Sequence, residues 1–167
     1  CEEDLTLAVR KDTDTAETVL SGMGESQFEV AAEKMKRKFG VEVKIETPKI
    51  PYRETITIPT KSEYKHKKQT GGRGQYGDVK IKMEPLSRGK DFEFEDKIFG
   101  GAIPRNYIPS IEKGIREAKK KGVVAGYPVV DFKVVLYDGT YHEVDSSDIA
   151  FKIAASMAFK KAMKEAK

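Results

Sequence analysis

The chain of 167 residues is 38% hydrophobic, 35% charged and 9% aromatic and carries a net charge of +4. These values describe a soluble globular protein of one or two domains. Its longest apolar runs are too short to span a bilayer, and Cys1-Glu2-Glu3-Asp4 is acidic where a leader is basic and then apolar, so a cytoplasmic protein without a membrane partner is expected. A lone Cys1 excludes an internal disulfide and a thiolate metal cluster, and a start on Cys rather than Met points to a piece of a longer chain.

In chain order, Leu5, Leu7 and Val9 alternate as in a half-buried strand, residues 12–15 read as a turn, and Thr18 to Leu20 make a second strand. Gly22-Met23-Gly24 then punctuates. Phe28, Ala31, Ala32, Met35 and Phe39 fall at helical spacing with Gly40 as the stop, and Val41, Val43 and Ile45 alternate again. The result is β-β-α-β, small for an independent core and read as an incomplete ferredoxin-like piece.

Pro48 and Pro51 bracket a stiff connector to a second unit. Tyr52 to Ile58 is a candidate strand, and Tyr64 to Gln69 leads into a glycine loop. Beyond it Val79, Ile81 and Met83 alternate with polar neighbours. After a Phe92–Phe94 strand, Pro104 and Pro109 introduce a helix with Ile108, Ile111, Ile115 and Ala118 on one face. Val129 to Tyr137 is an apolar strand, which Asp138-Gly139 turns into a hairpin returning over Tyr141 to Val144. Asp145, Ser146 and Ser147 offer caps to a last helix whose Ile149, Ile153, Met157 and Ala158 form a core stripe. The fold class is α+β: the ferredoxin-like piece, then a two-layer α/β sandwich of the split β-α-β kind with helices on one face of the sheet.

Charge follows the same division. Residues 1–46 hold seven basic and eleven acidic side chains, a balance of −4, which leaves +8 for the remainder. Lys61, Lys65, His66, Lys67, Lys68 and Arg73 crowd the glycine stretch, either as a face for a polyanion or as a solvated basic surface.

The glycine stretch itself, GGRGQYGDV at 71–79, fits the G-x-G-x-x-G spacing of nucleotide-binding turns. A dinucleotide site needs those glycines to open a helix, whereas the residues after Gly77 alternate as a strand. A kinase loop does lie between strands, yet no H-R-D, D-F-G or Walker sequence accompanies it; Asp91-Phe92-Glu93 and Asp131-Phe132-Lys133 are superficial likenesses. What remains is a glycine-rich hairpin tip with side chains suited to contact. Arg73 can fork onto phosphate, Gln75 can bond a base edge or sugar, and Tyr76 either offers a stacking face or covers the sheet edge. Two histidines, His66 and His142, make no zinc set, and Glu143, Asp145 and Asp148 near His142 read as a cap and a solvated turn.

Longer stretches are recognisable. YRETI at 52–56, QTGGRGQYGDVKIKMEPL at 69–86, GGAIPRNYIPSIEKGI at 100–115 and DGTYHEVDSSDIAFKIAASMAFKKA at 138–162 closely resemble domain IV of bacterial translation elongation factor G, over essentially all of 48–167. The stretch SGMGESQFEVAAEKMKRKFGVEVKIETPKIPYRET at 21–55 resembles the latter half of domain III, so that 1–47 is expected to be its latter part. The resemblance implies a ribosomal translocase whose domain IV enters the decoding region and promotes movement of tRNA and mRNA. It implies as partners the ribosome, ribosomal RNA, tRNA and mRNA, and a monomer. The loop at Thr70 to Gly77 and the hairpin at Asp138 to Val144 then lie together at the tip, with Gly71, Gly72, Arg73, Gly74, Gln75, Tyr76, Gly77, Gly139 and His142, supported by Lys65, Lys67 and Lys68, as RNA-contacting residues. GTP and magnesium would belong to a GTPase domain of the parent protein that this chain lacks. The fragment itself is expected to be no enzyme, with no catalytic, cofactor-binding or metal-binding residues.

One departure stands out. The family usually reads Gly-Glu-Leu-His-Leu-Glu where this chain has Gly24-Glu25-Ser26-Gln27-Phe28-Glu29. It leaves open an elongation-factor-G-like paralogue in recycling or regulation. The tip keeps the family pattern, which argues against a tetracycline-resistance protection protein. A static RNA-binding module is the alternative from another class.

Overall fold

In the computed structural model, which describes residues 4–13, 15–69, 72 and 74–166, the first strand is Ala8–Lys11 (β1), paired antiparallel with Thr18–Ser21 (β2). Asp12 accepts from Thr15 N–H at 3.1 Å and closes the turn between them. Leu5 and Leu7 are not strand. Asp4 draws residues 4–7 into a turn of their own, its carboxylate accepting from Thr6 N–H and its carbonyl from Leu7 N–H, and Leu5 is left exposed. Glu25–Phe39 (α1) ends where Gly40 takes the left-handed conformation at φ 66°. The predicted third strand at Val41, Val43 and Ile45 is absent: a strand exists only where a neighbour pairs with it, no described residue does so, and all three side chains are exposed. No described residue up to Pro51 is buried, so this unit, Cys1–Pro51, has only half-buried contacts such as those of Phe28, Ala31 and Ala32.

The second unit, Tyr52–Lys167, holds the core. Four strands, Thr60–Lys68 (β3), Gln75–Pro85 (β4), Phe92–Asp96 (β5) and Phe132–Thr140 (β6), lie in the order β3-β4-β6-β5. β5 runs parallel to β6 and the other pairs are antiparallel. A 3-10 turn, Arg105–Tyr107, leads into Ile108–Lys121 (α2), and Asp148–Glu165 (α3) closes the chain's elements. The two helices pack on each other, and α3 packs on β3 and β4. Period-two alternation puts Val79, Ile81 and Met83 of β4 beside Phe132, Val134 and Leu136 of β6 in the core. Phe159 of α3 meets the Phe132 ring at 5.3 Å.

Three expectations for this unit need correction. Tyr52 to Ile58 is not a strand; it makes a single bridge, Glu54 to Val129. Asp138-Gly139 is not a hairpin turn, since neither residue has the positive φ that such a turn requires. Both continue β6, opposite Lys80 and Val79, past a register shift at Lys80/Ile81. Gly139 is glycine because a Cβ there would stand 2.3 Å from the Asp78 carbonyl oxygen. In α3 the core face is Ala150, Phe151, Ala154, Ala155, Ala158, Phe159, Ala162 and Met163, whereas Ile149, Ile153 and Met157 are exposed. Five alanines let the helix lie close on the sheet and leave room for Phe151, Phe159 and Met163 between them. Asp91 and Asp131, the superficial kinase likenesses, are left-handed turn residues at φ 57° and 60°. Among the described residues no helix is long and apolar enough to cross a membrane.

Candidate nucleic-acid interface

Three segments converge at one end of the sheet: the end of β3, the start of β4 and the connection from β6 to α3. Gly74 N–H donates to the Asp145 carboxylate at 3.0 Å, and Tyr76 N–H to the Asp145 carbonyl at 2.9 Å. Ser146 Oγ donates to the Tyr76 carbonyl at 2.9 Å and accepts from His142 N–H at 2.9 Å. Between these segments lies a cavity of about 210 Å³ lined by Lys67, Lys68, Gln69, Gln75, Tyr76, His142 and Asp145. The fold thus brings Gln75 and His142, 67 positions apart by their residue numbers, to one concavity beside two lysines.

The local chemistry favours donors. Val144 N–H and Asp145 N–H both donate to His142 Nδ1 at 3.3 Å, so the neutral imidazole carries its proton on Nε2. The Gln75 amide oxygen lies 3.0 Å from His66 Nε2, which leaves the Gln75 amino group to serve another partner. Lys67 and Lys68 are exposed, and no ion pair joins either to another described residue. Donors of this kind suit phosphate oxygens, sugar hydroxyls and the acceptor edges of bases.

Charge on the open face of the sheet is distributed unevenly. On the inner strands Lys80 pairs with Asp138 at 2.7 Å, Lys82 with Glu84 at 2.6 Å and Lys133 with Glu95 at 2.8 Å. The hydrogen bond from Lys80 holds the Asp138 carboxyl below its usual range, and the same bond raises the lysine. Along the edge strand β3, by contrast, Lys65 sits over the Tyr76 ring at 5.3 Å and Lys61 over Tyr137 at 6.0 Å. Uncompensated positive charge is therefore concentrated on β3 and at its end.

The remaining site residues take different places. Gly72 is exposed, while Gly71 and Arg73 lie outside the described residues. Gly77 is buried under the first turn of α3, where a Cβ would stand 3.1 Å from the Ala150 carbonyl carbon. Gly139, also expected as an RNA contact, is buried as well, and both glycines sit where a Cβ would collide. Tyr76 is braced: its hydroxyl lies 2.7 Å from Thr140 Oγ1, which donates to Asp78. Its ring also lines the cavity, 6.1 Å from the His142 ring.

Sequence reasoning missed Glu54. Its carboxylate accepts from the backbone N–H groups of Val123, Val124, Ala125, Gly126 and Tyr127, at 2.8–3.1 Å. Burial opposes its ionisation, but these donors outweigh burial and hold its carboxyl below the usual range. Partners that are all backbone leave no side-chain pattern to read.

The fit of nucleotide and metal can be judged on the same geometry. The residues after the glycines form β4, so the stretch does not open a helix as a dinucleotide-binding turn does. Among the described residues no group of three His, Cys, Asp or Glu is placed to hold a metal ion.

Comparison with known proteins decides the family. The profile described as elongation factor G, domain IV, matches residues 48–167, and that of elongation factor G, domain III, matches residues 1–47. The chain belongs to the elongation factor G family. It is 61% identical over 166 residues to a Thermotoga maritima protein named elongation factor G-like protein, and 56% identical over 167 residues to elongation factor G of Thermotoga petrophila. Elongation factor G of Petrotoga mobilis is 55% identical over 168 residues. A crystal structure of a Thermus thermophilus protein superposes with a TM-score of 0.80 at 53% identity, over 99% of this chain and 24% of that one. The chain likewise spans 24% of the length of the three named relatives and is itself 99% covered.

Proposed function

We propose that this chain is the part of a ribosomal translocase that reaches the decoding region and contacts moving RNA through the end of the second unit's sheet. The observation that carries the reading is the convergence of Gln75, His142, Lys67 and Lys68 on one cavity, beside an edge strand whose lysines are not neutralised. Residues 1–47 act in this reading as part of the relay from a GTPase domain elsewhere in the parent protein, and 48–167 as the RNA-contacting domain. Hydrolysis of GTP and its magnesium requirement belong to the parent, in the cytoplasm, and not to this chain.

Gln75→Ala and His142→Ala, built into the parent protein, should leave GTP hydrolysis nearly intact. They should slow single-turnover tRNA movement by about tenfold when combined, the worth of one or two hydrogen bonds. Normal movement in the double variant would remove these side chains from the mechanism. A parallel loss of hydrolysis would locate the defect in the fold or in domain coupling.

The paralogue reading has one observation in its favour, the elongation factor G-like name of a 61% identical relative. It separates from the first by assay. A recycling factor splits post-termination ribosomes and leaves tRNA movement unaffected.

A further inference from the structure

Within the site just described, two groups have no assigned part in RNA contact. Ser146 is buried at 2% exposure, and Asp145 is half-buried. Of the three residues able to cap α3, Ser147 does so, accepting from Ala150 N–H. That leaves Asp145 and Ser146 unexplained by the helix.

Resting on the proposed RNA contact, we infer that Asp145 and Ser146 are positioning residues that lock the Gln75 and His142 segments into one unit. Ser146 Oγ touches both halves, as acceptor from His142 N–H and donor to the Tyr76 carbonyl. Asp145 repeats the link, with its carboxylate on Gly74 N–H, its carbonyl on Tyr76 N–H and its own N–H on His142 Nδ1. Gly74 fits the arrangement, because a Cβ there would stand 3.0 Å from the Asp145 carboxyl carbon. A buried hydroxyl satisfied on both sides is costly to break, since its loss strands a carbonyl and an amide together. Each segment alone is a connection with few apolar anchors. Joined, they present one fixed pair of donors, which lowers the ordering cost of binding.

The test uses Ser146→Ala and Asp145→Ala in the chain as it stands, with Asp145→Asn as the conservative variant that keeps an acceptor for Gly74 N–H. Amide hydrogen exchange at Tyr76 and His142 should accelerate about tenfold in Ser146→Ala, and at Gly74 in Asp145→Ala, while Ile81 in the core is unchanged, and Asp145→Asn should recover most of the Gly74 protection. Binding to small ribosomal subunits should weaken several-fold with an unchanged salt slope, because no lysine is lost. Gln75→Ala and His142→Ala, non-additive in the native background, should become additive when Ser146→Ala is present. Unchanged exchange at Tyr76 and His142, or coupling that survives Ser146→Ala, would overturn the inference. If no form of the chain binds subunits, it is the RNA reading that fails, and the exchange rates still decide the positioning claim.

Discussion

Glu54 shows how a single side chain organises backbone that has no regular structure. Its carboxylate gathers five N–H groups from residues 123–127, and its main chain bonds Pro128 and Val130. Because its folded-state pKa is depressed, the stability it contributes is present above the unfolded-state value and is lost as pH falls through the folded one. Glu54→Gln should therefore lower stability near neutral pH by about 2 kcal/mol, the scale of lost charge-assisted hydrogen bonds. The gap from the parent sequence should close in acid. Urea midpoints at the two conditions measure it, and an equal gap at both would assign the cost to something other than the charge. Ser62 is the opposite case: among the described residues its hydroxyl is the buried side-chain oxygen with no hydrogen-bond partner. Ser62→Ala should be neutral or stabilising by up to about 1 kcal/mol in the same measurement.

At the scale of elements, α3 separates two kinds of apolar residue that a sequence does not. Phe159 is fully buried and Ile149 is 63% exposed, although both sit at helical spacing. Phe159→Ala should cost about 3–5 kcal/mol, whereas Ile149→Lys should shift stability by no more than about 0.5 kcal/mol. Thermal denaturation of the two variants tests the orientation of the helix. The strands with strict alternation were legible, as at Val79, Ile81 and Met83, because only one face of the sheet is covered. The helix was not, because five alanines supply much of its buried face and Ile149, Ile153 and Met157 have the same helical spacing. Asp138-Gly139 misled for a related reason: a glycine demanded by a close backbone approach and one demanded by a turn look alike in sequence. Val41, Val43 and Ile45 had the right pattern for a strand, but pattern cannot supply a pairing neighbour.

Over the whole molecule, the basic cluster beside the glycine stretch was legible in the sequence, and the ion pairs that neutralise the inner strands were not. On the sheet the inner strands neutralise their own lysines, so the positive charge left on its open face lies along the β3 edge and at the cavity at its end. The family resemblance supplied Gln75 and His142, and the fold supplied Asp145 and Ser146 as the groups that hold them. If the cavity end is where RNA phosphates lie, the association of the chain with small ribosomal subunits must be governed by counterion release. The decisive measurement is the dependence of that affinity on salt, for the native chain and for Lys67→Ala combined with Lys68→Ala. The account predicts a steep fall with salt in the native chain and a slope smaller by about two units in the double variant, about one per phosphate contact removed. Salt-independent binding, or an unchanged slope in the double variant, would contradict it.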